Sequence, residues 1–293
     1  MKTRIKNYIK EMRMKHYVKN LIIFFPLFFN GAVLEYTGWM PFILGILSFC
    51  VCASCIYIVN DIQDIEKDRK HGKKCKRPLA AGLITVTEAR MLCGILGGVS
   101  LLFILLAVRR GAAISSIVVL LVYVGLNLIY SVFHLKDVAL LDIIILASGF
   151  VLRLMMGSAL TKISISAWLY LVVLCGAFYL GFGKRRNELR TNSDTTRKVL
   201  KNYTESYLTM SMYSCMSLTI VFFSLWCIEK QQSHIRFHYL WFVPIMMILF
   251  FQYNLDLEKE QYTGDPTEIL FGDRVIQVVC IVTAILMFIN IYV

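Results

Sequence analysis

Three aspartates, Asp61, Asp64 and Asp68, stand at i, i+3 and i+7. At 100° per residue they fall within about 60° of one another on a helix. Asn60 lies at the edge of the same face. Carboxylates so placed repel each other unless a cation sits between them. Hard oxygen ligands of this kind suit Mg²⁺, which keeps waters and completes its shell with substrate phosphates. Asn60, Asp61, Asp64 and Asp68 are therefore the candidate metal ligands, and the three aspartates the candidate catalytic groups. Lys73-Lys74-Cys75-Lys76-Arg77-Pro78 follows within ten residues of Asp68. Acids to hold a metal, next to Lys74 and Arg77 to hold phosphates, describe a metal-diphosphate site.

A second polar group reads Lys184-Arg185-Arg186-Asn187-Glu188. With Glu188 its only nearby acid, it cannot build a second metal-carboxylate site, but it can bind a phosphate that brings no metal. Asp142 and Arg153 are eleven residues apart, three helical turns, and share a face. Charges within apolar spans face a bundle interior or a cavity. Asp142, nearer the mouth, reads as a substrate-site residue. Arg153, roughly 16 Å further along, reads as structural, satisfying buried groups between helices. Asp265-Pro266-Thr267-Glu268 has the form of a helix start. Asp273 and Arg274, at the mouth of the last apolar stretch, are further candidates for substrate binding. The five histidines have no metal spacing.

These residues are positioned by an unusual chain. Of 293 residues 58% are hydrophobic and 17% charged, and the mean hydropathy is +0.65. A soluble domain has about 25% charged residues. The apolar residues form long uncharged blocks, which excludes a disordered chain, a coiled coil and a disulfide scaffold. A bilayer core is crossed by roughly 20 apolar helical residues. Nine stretches reach about that length: Tyr17–Leu34, Pro41–Asn60, Met91–Val108, Ala112–Ser131, Val138–Ala159, Ser164–Gly183, Ser206–Ile228, Phe237–Leu255 and Val275–Val293. They are too long, and alternate too little, for a membrane β-barrel. The expectation is one all-α domain over 1–293, a polytopic membrane protein of nine transmembrane helices. Most cysteines lie inside the apolar blocks, where they behave as small hydrophobes. No cleavable signal peptide is expected.

Nine crossings put alternate loops on opposite sides. The side holding the N-terminus collects 25 of the 31 Lys and Arg residues, 21 of them in three runs before Asn20, in Lys67–Arg77 and in Lys184–Lys201, and the other four at Arg90, Lys136, Lys259 and Arg274. The positive-inside rule makes that side cytoplasmic, so the polar motifs share a cytoplasmic face. The net charge of +12 is accounted for by topology, anionic lipid and an anionic substrate, with no nucleic acid required.

The residues also carry a resemblance. Asn60-Asp61-x-x-Asp64-x-x-x-Asp68 at the end of the second span resembles the UbiA superfamily of intramembrane prenyltransferases. Asp68-Arg69-x-His71-x-x-Lys74-x-x-Arg77-Pro78-Leu79-Ala80-Ala81-Gly82 is similar to the signature of one branch, the decaprenyl-phosphate phosphoribosyltransferases. So are Lys19-Asn20, Tyr130-Ser131 through Lys136 to Asp142, Ser148 to Arg153, Gly183 to Leu189, and Asp273-Arg274. Gly72 stands where that branch usually has Pro. The resemblance implies a UbiA-like bundle. It adds Lys19, Asn20, Tyr130 and Lys136 to a substrate-binding set with Lys74, Arg77, Asp142, Lys184, Arg185, Arg186, Glu188, Asp273 and Arg274. It implies Mg²⁺ as cofactor, 5-phosphoribosyl 1-diphosphate as donor and a polyprenyl phosphate in the bilayer as acceptor. The location it implies is a bacterial-type inner membrane, and assembly into a homo-oligomer is compatible with it.

Two alternatives stay open. A prenyltransferase joining a polyprenyl diphosphate to an aromatic acceptor would carry a second aspartate-rich motif, where this chain has Lys184, Arg185 and Arg186. A lipid carrier or transporter would show internal repeats and midplane charges, whereas the polar residues here gather at one face.

Overall fold

The computed structural model describes residues 2–70, 72, 74–132, 135–191, 198–231, 237–259 and 265–293. The described residues are helical, with no strand among them. Helix α1 (Lys2–Glu11) precedes a 3-10 helix, Met14–Phe24, which runs into α2 (Phe25–Phe29). There follow α3 (Trp39–Gln63), α4 (Ile65–Lys70), α5 (Val86–Arg109), α6 (Ser115–Val132) and α7 (Leu141–Thr161). The chain ends with α8 (Ala167–Thr191), α9 (Glu205–Lys230), α10 (Phe242–Glu258), α11 (Pro266–Gly272) and α12 (Arg274–Tyr292).

Eight helices among the described residues are long and apolar enough to cross a membrane. The sequence expects a ninth over Tyr17–Leu34, and the chain makes that segment differently. Pro26 sits in the first turn of α2, where its missing N–H costs nothing. The eleven residues before α2 are wound as a 3-10 helix. At ~2.0 Å per 3-10 residue and ~1.5 Å per α residue the two pieces span about 30 Å, which matches a hydrocarbon core. A second difference lies in α8. It continues through Lys184–Thr191, beyond the expected end at Gly183, because Lys, Arg, Glu and Leu are good helix formers and no Gly or Pro interrupts them.

Close contacts fix the inner helices. Ser48 and Ser100 exchange hydrogen bonds, each hydroxyl donating to the other's carbonyl at 2.8 and 2.9 Å, and lock α3 to α5. A Cβ at Gly157 would lie 2.1 Å from the Ile23 carbonyl oxygen, so the 3-10 helix rests directly on α7. α5 opens with a reciprocal cap between Thr85 and Glu88. Leu, Ile and Val side chains on the outer faces of α5, α6 and α12 are exposed, as surfaces that meet lipid tails should be.

Candidate active site

One cavity of about 760 Å³ opens at the end of the bundle where α3, α6 and α8 bring their polar residues. That is a substrate-sized chamber. α3 supplies Asn60 and Asp61 from its last turn, and Asp64 is its C-cap. Asp68 follows on the short α4. The break at Asp64 divides the expected single acidic face. Asp61 and Asp68 turn to one guanidinium, Arg77, whose Nη1 donates to Asp61 Oδ1 at 3.0 Å and to Asp68 Oδ2. Asp64 instead accepts from Lys136 Nζ at 2.6 Å. Asn60 Oδ1 accepts from the Ser131 hydroxyl, which ties α3 to α6.

Sequence reasoning missed Arg13. Its guanidinium donates to both oxygens of Asp61, the Oδ2 bond measuring 2.5 Å, and lies over the Tyr57 ring. Arg13 adopts φ +51°, a left-handed conformation costly for a residue with a Cβ. The 3-10 helix begins just after it. With three residues per turn, positions three apart stack, so His16 and Lys19 follow one another down the cavity wall, which Arg13 heads from the cap position. An α-helical reading of 3.6 residues per turn spreads the same residues around the helix, so the sequence held the signal but the period hid it. Glu11, at the end of α1, is also in the wall. Its Oε2 accepts from the Leu79 N–H at 3.4 Å, and its Oε1 has no partner among the described residues. Burial, reinforced by the nearby Asp61, pushes the Glu11 carboxyl up to about 7. Burial likewise raises Asp68, against the pull of Arg77.

The opposite wall is anchored by Asp265, which caps α11 by accepting from the Thr267 N–H at 2.9 Å. It also takes Lys19 at 3.2 Å and Lys184 at 3.9 Å. Burial alone would raise the Asp265 carboxyl. The two lysines outweigh burial and hold it well below the usual carboxylate range. The sequence reading of Asp265 as a helix start is thus half of its work.

Arg185 lies deeper, its side chain fully buried, with Nε on Asp142 and Nη1 on Glu188 at 2.6 Å. Its Nη2 donates to the Tyr130 hydroxyl at 3.3 Å. Asp142 also accepts from the Tyr203 hydroxyl at 2.8 Å. That hydroxyl in turn accepts from the N–H of Leu140 at 2.6 Å, holding a residue at φ +66° where the chain enters α7. Asp142 therefore faces Arg185 and Tyr203 and is wholly buried, off the cavity surface.

Other expected site residues are not gathered. Arg186 points to α9 and α10, donating to Thr209 at 2.8 Å and pairing with Glu258 at 2.7 Å. Asp273 caps α12 through the Ile276 N–H at 2.8 Å and accepts from Gln252 at 3.0 Å. Arg274 is exposed on the first turn of α12. Asn20 stands behind the cavity wall, between Cys50 and Arg153. Lys74 lines the cavity. His71 and Lys73 lie outside the described residues.

Among the described residues no three acids, histidines or cysteines converge into a closed cage. Mg²⁺ does not need one, since one or two carboxylates plus waters and substrate phosphates complete its shell. Asp61 and Asp68 already share one cationic nitrogen, that of Arg77. Two hard carboxylates able to share a cation beside an open chamber fit the ion.

A family model described as the UbiA prenyltransferase family matches residues 23–263. The chain belongs to the UbiA prenyltransferase family. This UbiA-family chain is 31% identical over 292 residues to the decaprenyl-phosphate phosphoribosyltransferase of Mycolicibacterium smegmatis, covering 94% of the chain and 90% of the relative. It is 32% identical over 291 residues to the protein of the same description from Corynebacterium glutamicum, covering 94% and 86%. In fold it is similar to a UbiA homolog from Archaeoglobus fulgidus bound to DMAPP and Mg²⁺, with a TM-score of 0.71 at 18% identity over 96% of the chain and 99% of the homolog. This UbiA-family member is a multi-pass membrane transferase.

Proposed function

We propose that the protein transfers the 5-phosphoribosyl group of 5-phosphoribosyl 1-diphosphate to a polyprenyl phosphate in the bilayer, releasing diphosphate. One observation carries this reading: a single chamber holds Asp61, Asp64 and Asp68 together with nine Lys and Arg side chains. Such a lining suits a metal-bound diphosphate and further phosphates at once. The names of the two relatives support the same choice of substrates. Asp61 and Asp68, with Asn60 and Asp64 adjacent, would hold Mg²⁺, which when bound neutralises charge on the diphosphate. Arg13, Arg77 and Lys136 sit against these carboxylates and supply hydrogen bonds to the diphosphate as it leaves. Lys19 and Lys184 orient the 5-phosphate. An acceptor phosphate oxygen forms the new bond to ribose C1 while the bond from C1 to the diphosphate oxygen breaks, its electron pair leaving with diphosphate. The acceptor phosphate is already anionic at neutral pH, so no proton has to move. On this reading the chamber faces the cytoplasm, and Cys75, in the turn Lys74–Lys76, is labelled by an impermeant thiol reagent only after the membrane is opened.

The deciding experiment supplies purified protein in detergent with Mg²⁺, the phosphoribosyl donor and a polyprenyl phosphate. The expected products are diphosphate and a phosphoribosylated lipid identified by mass, with activity lost on adding EDTA. Formation of a prenylated aromatic from a polyprenyl diphosphate and 4-hydroxybenzoate, with no phosphoribosyl lipid, would overturn the proposal.

A further inference from the structure

Four arginines line the chamber: Arg13, Arg77, Arg153 and Arg185. Three of them hold a carboxylate. Arg153 holds none among the described residues. Its Nε donates to Asn20 Oδ1 at 2.7 Å, its Nη1 to the Gly149 carbonyl at 2.6 Å, and its Nη2 reaches the Tyr123 hydroxyl at 3.4 Å. The guanidinium lies against the rings of Phe49, Tyr123 and Phe150 at 5.3, 5.3 and 5.8 Å. The residue is 5% exposed. A guanidinium has five N–H groups, so each Nη keeps one without a protein acceptor among the described residues. A cation inside an apolar bundle, with neutral partners only, is expensive to maintain. Its unused donors border a chamber built for anions.

The level of this group matters. The bond to Gly149 folds the side chain back toward the start of α7, as helical side chains tend to lie. The guanidinium therefore sits about 10 Å along α7 from Asp142, at 1.5 Å per residue. Tyr123, which it touches, is eight residues before Ser131, the partner of Asn60, or about 12 Å along α6. The Asp61 layer and Arg153 are thus the two ends of one chamber. Gly149 keeps the space beside the guanidinium open, since a Cβ there would lie 3.3 Å from Arg153 Nη1.

We propose that Arg153 seats the phosphate of the lipid acceptor. The assignment rests on the phosphoribosyl-transfer reading above. In a displacement at ribose C1 the entering and leaving oxygens approach from opposite sides. Asp61, Asp68 and Arg77 take the leaving diphosphate at one end, and Arg153 presents the acceptor phosphate from the other. The prenyl chain then continues into the apolar part of the bundle. One phosphate oxygen bonds to C1 as the bond to diphosphate breaks, and Arg153 neutralises and aims the phosphate without exchanging a proton.

The test uses the wild-type protein in nanodiscs with a polyprenyl phosphate carrying a diazirine on the isoprene unit next to the phosphate. Photolabelling should place adducts on peptides containing Leu146, Phe150 or Tyr123. Adducts confined to the peptides of Lys19 and Lys184 would overturn the assignment. In steady-state assays Arg153→Gln should raise KM for the lipid phosphate by about 30-fold or more, with KM for the phosphoribosyl donor within about twofold. Arg153→Lys should recover part of the loss. An unchanged lipid KM in folded Arg153→Gln, or equal changes in both KM values, would count against it. If Arg153→Gln does not fold, the wild-type labelling decides alone. Failure of the wild type to make phosphoribosyl lipid would remove the reaction reading instead, a result distinct from misplaced adducts.

Discussion

Arg153 and Arg185 lie on neighbouring helices, α7 and α8, and both are hidden from solvent. Arg185 is met by Asp142, Glu188 and the Tyr130 hydroxyl. Arg153 is met by an amide oxygen, a backbone carbonyl, a phenol and three aromatic faces. The difference separates two uses of a buried cation. Arg185, fully buried and enclosed by two carboxylates and a phenol, holds helices together and has little left to offer a ligand, unlike the paired cations on the open chamber wall. A charge held only by neutral groups keeps its attraction for an anion that arrives later.

The comparison is most exposed to Arg185→Met. Removing one member of a buried ion pair strands the other, and typically costs about 3–5 kcal/mol. The variant should lose most of its folded yield and melt far below wild type in detergent, and Asp142→Asn in the same chain should restore much of the loss. A melting temperature close to wild type for the single variant would mean that the pair does not organise the bundle. Arg153→Met should do less to stability, about 1–3 kcal/mol, because it leaves the Asn20 amide and the Gly149 carbonyl short of a donor but strands no charge. If it destabilises more than Arg185→Met, the contrast between the two arginines collapses.

Asp265→Asn sharpens the contrast at the chamber wall, where Lys19 and Lys184 resemble Arg185 in being paired. Asn caps helices as well as Asp does, so the start of α11 survives and the lysine pairs are lost. A drop of about 1 kcal/mol is expected near neutral pH. The Asp265 carboxyl is depressed in the fold. Its stabilisation is therefore complete above the ordinary carboxylate range near ~4 and fades as pH falls through its lower folded-state value. Below neutral pH the melting gap between wild type and variant should stay level down to roughly pH 5 and shrink in stronger acid. A gap that grows on acidification would contradict this. Arg186→Gln should have the smallest effect. Its partner Glu258 is half exposed, a class of pair that contributes about 1 kcal/mol or less, and KM for both substrates should stay within about twofold of wild type.

Much of this was legible in the sequence. Long apolar blocks fix an all-helical membrane protein, and the acids ending α3 identify the wall of the chamber. What the sequence hid follows from geometry it does not state. Lys184, Arg185 and Arg186 read as one basic group, but neighbours on a helix point 100° apart, so Arg186 faces α9 while Lys184 and Arg185 face the chamber. Asp142 read as a ligand-facing acid because its partner, 43 residues away on α8, is invisible to local pattern. Arg13 is one of seven basic residues before Asn20, and an α-helical period does not align it with His16 and Lys19, so its contact with Asp61 is visible only in the fold.

The 3-10 winding of Met14–Phe24 has a consequence for spacing. Arg13 and Lys19 are six residues apart and contact opposite walls, Asp61 and Asp265. Arg13 is the left-handed cap of that helix, and at ~2.0 Å per residue the five steps from Met14 to Lys19 cover about 10 Å along the axis. Wound as an α-helix, the same five steps would cover about 7.5 Å, and the bearing of Lys19 would shift by roughly 100°. The distance between the chamber's two walls is thus gauged by the hydrogen-bond step of one short helix, and a one-residue insertion between Arg13 and Lys19 would mis-set that gauge while altering no group that touches substrate.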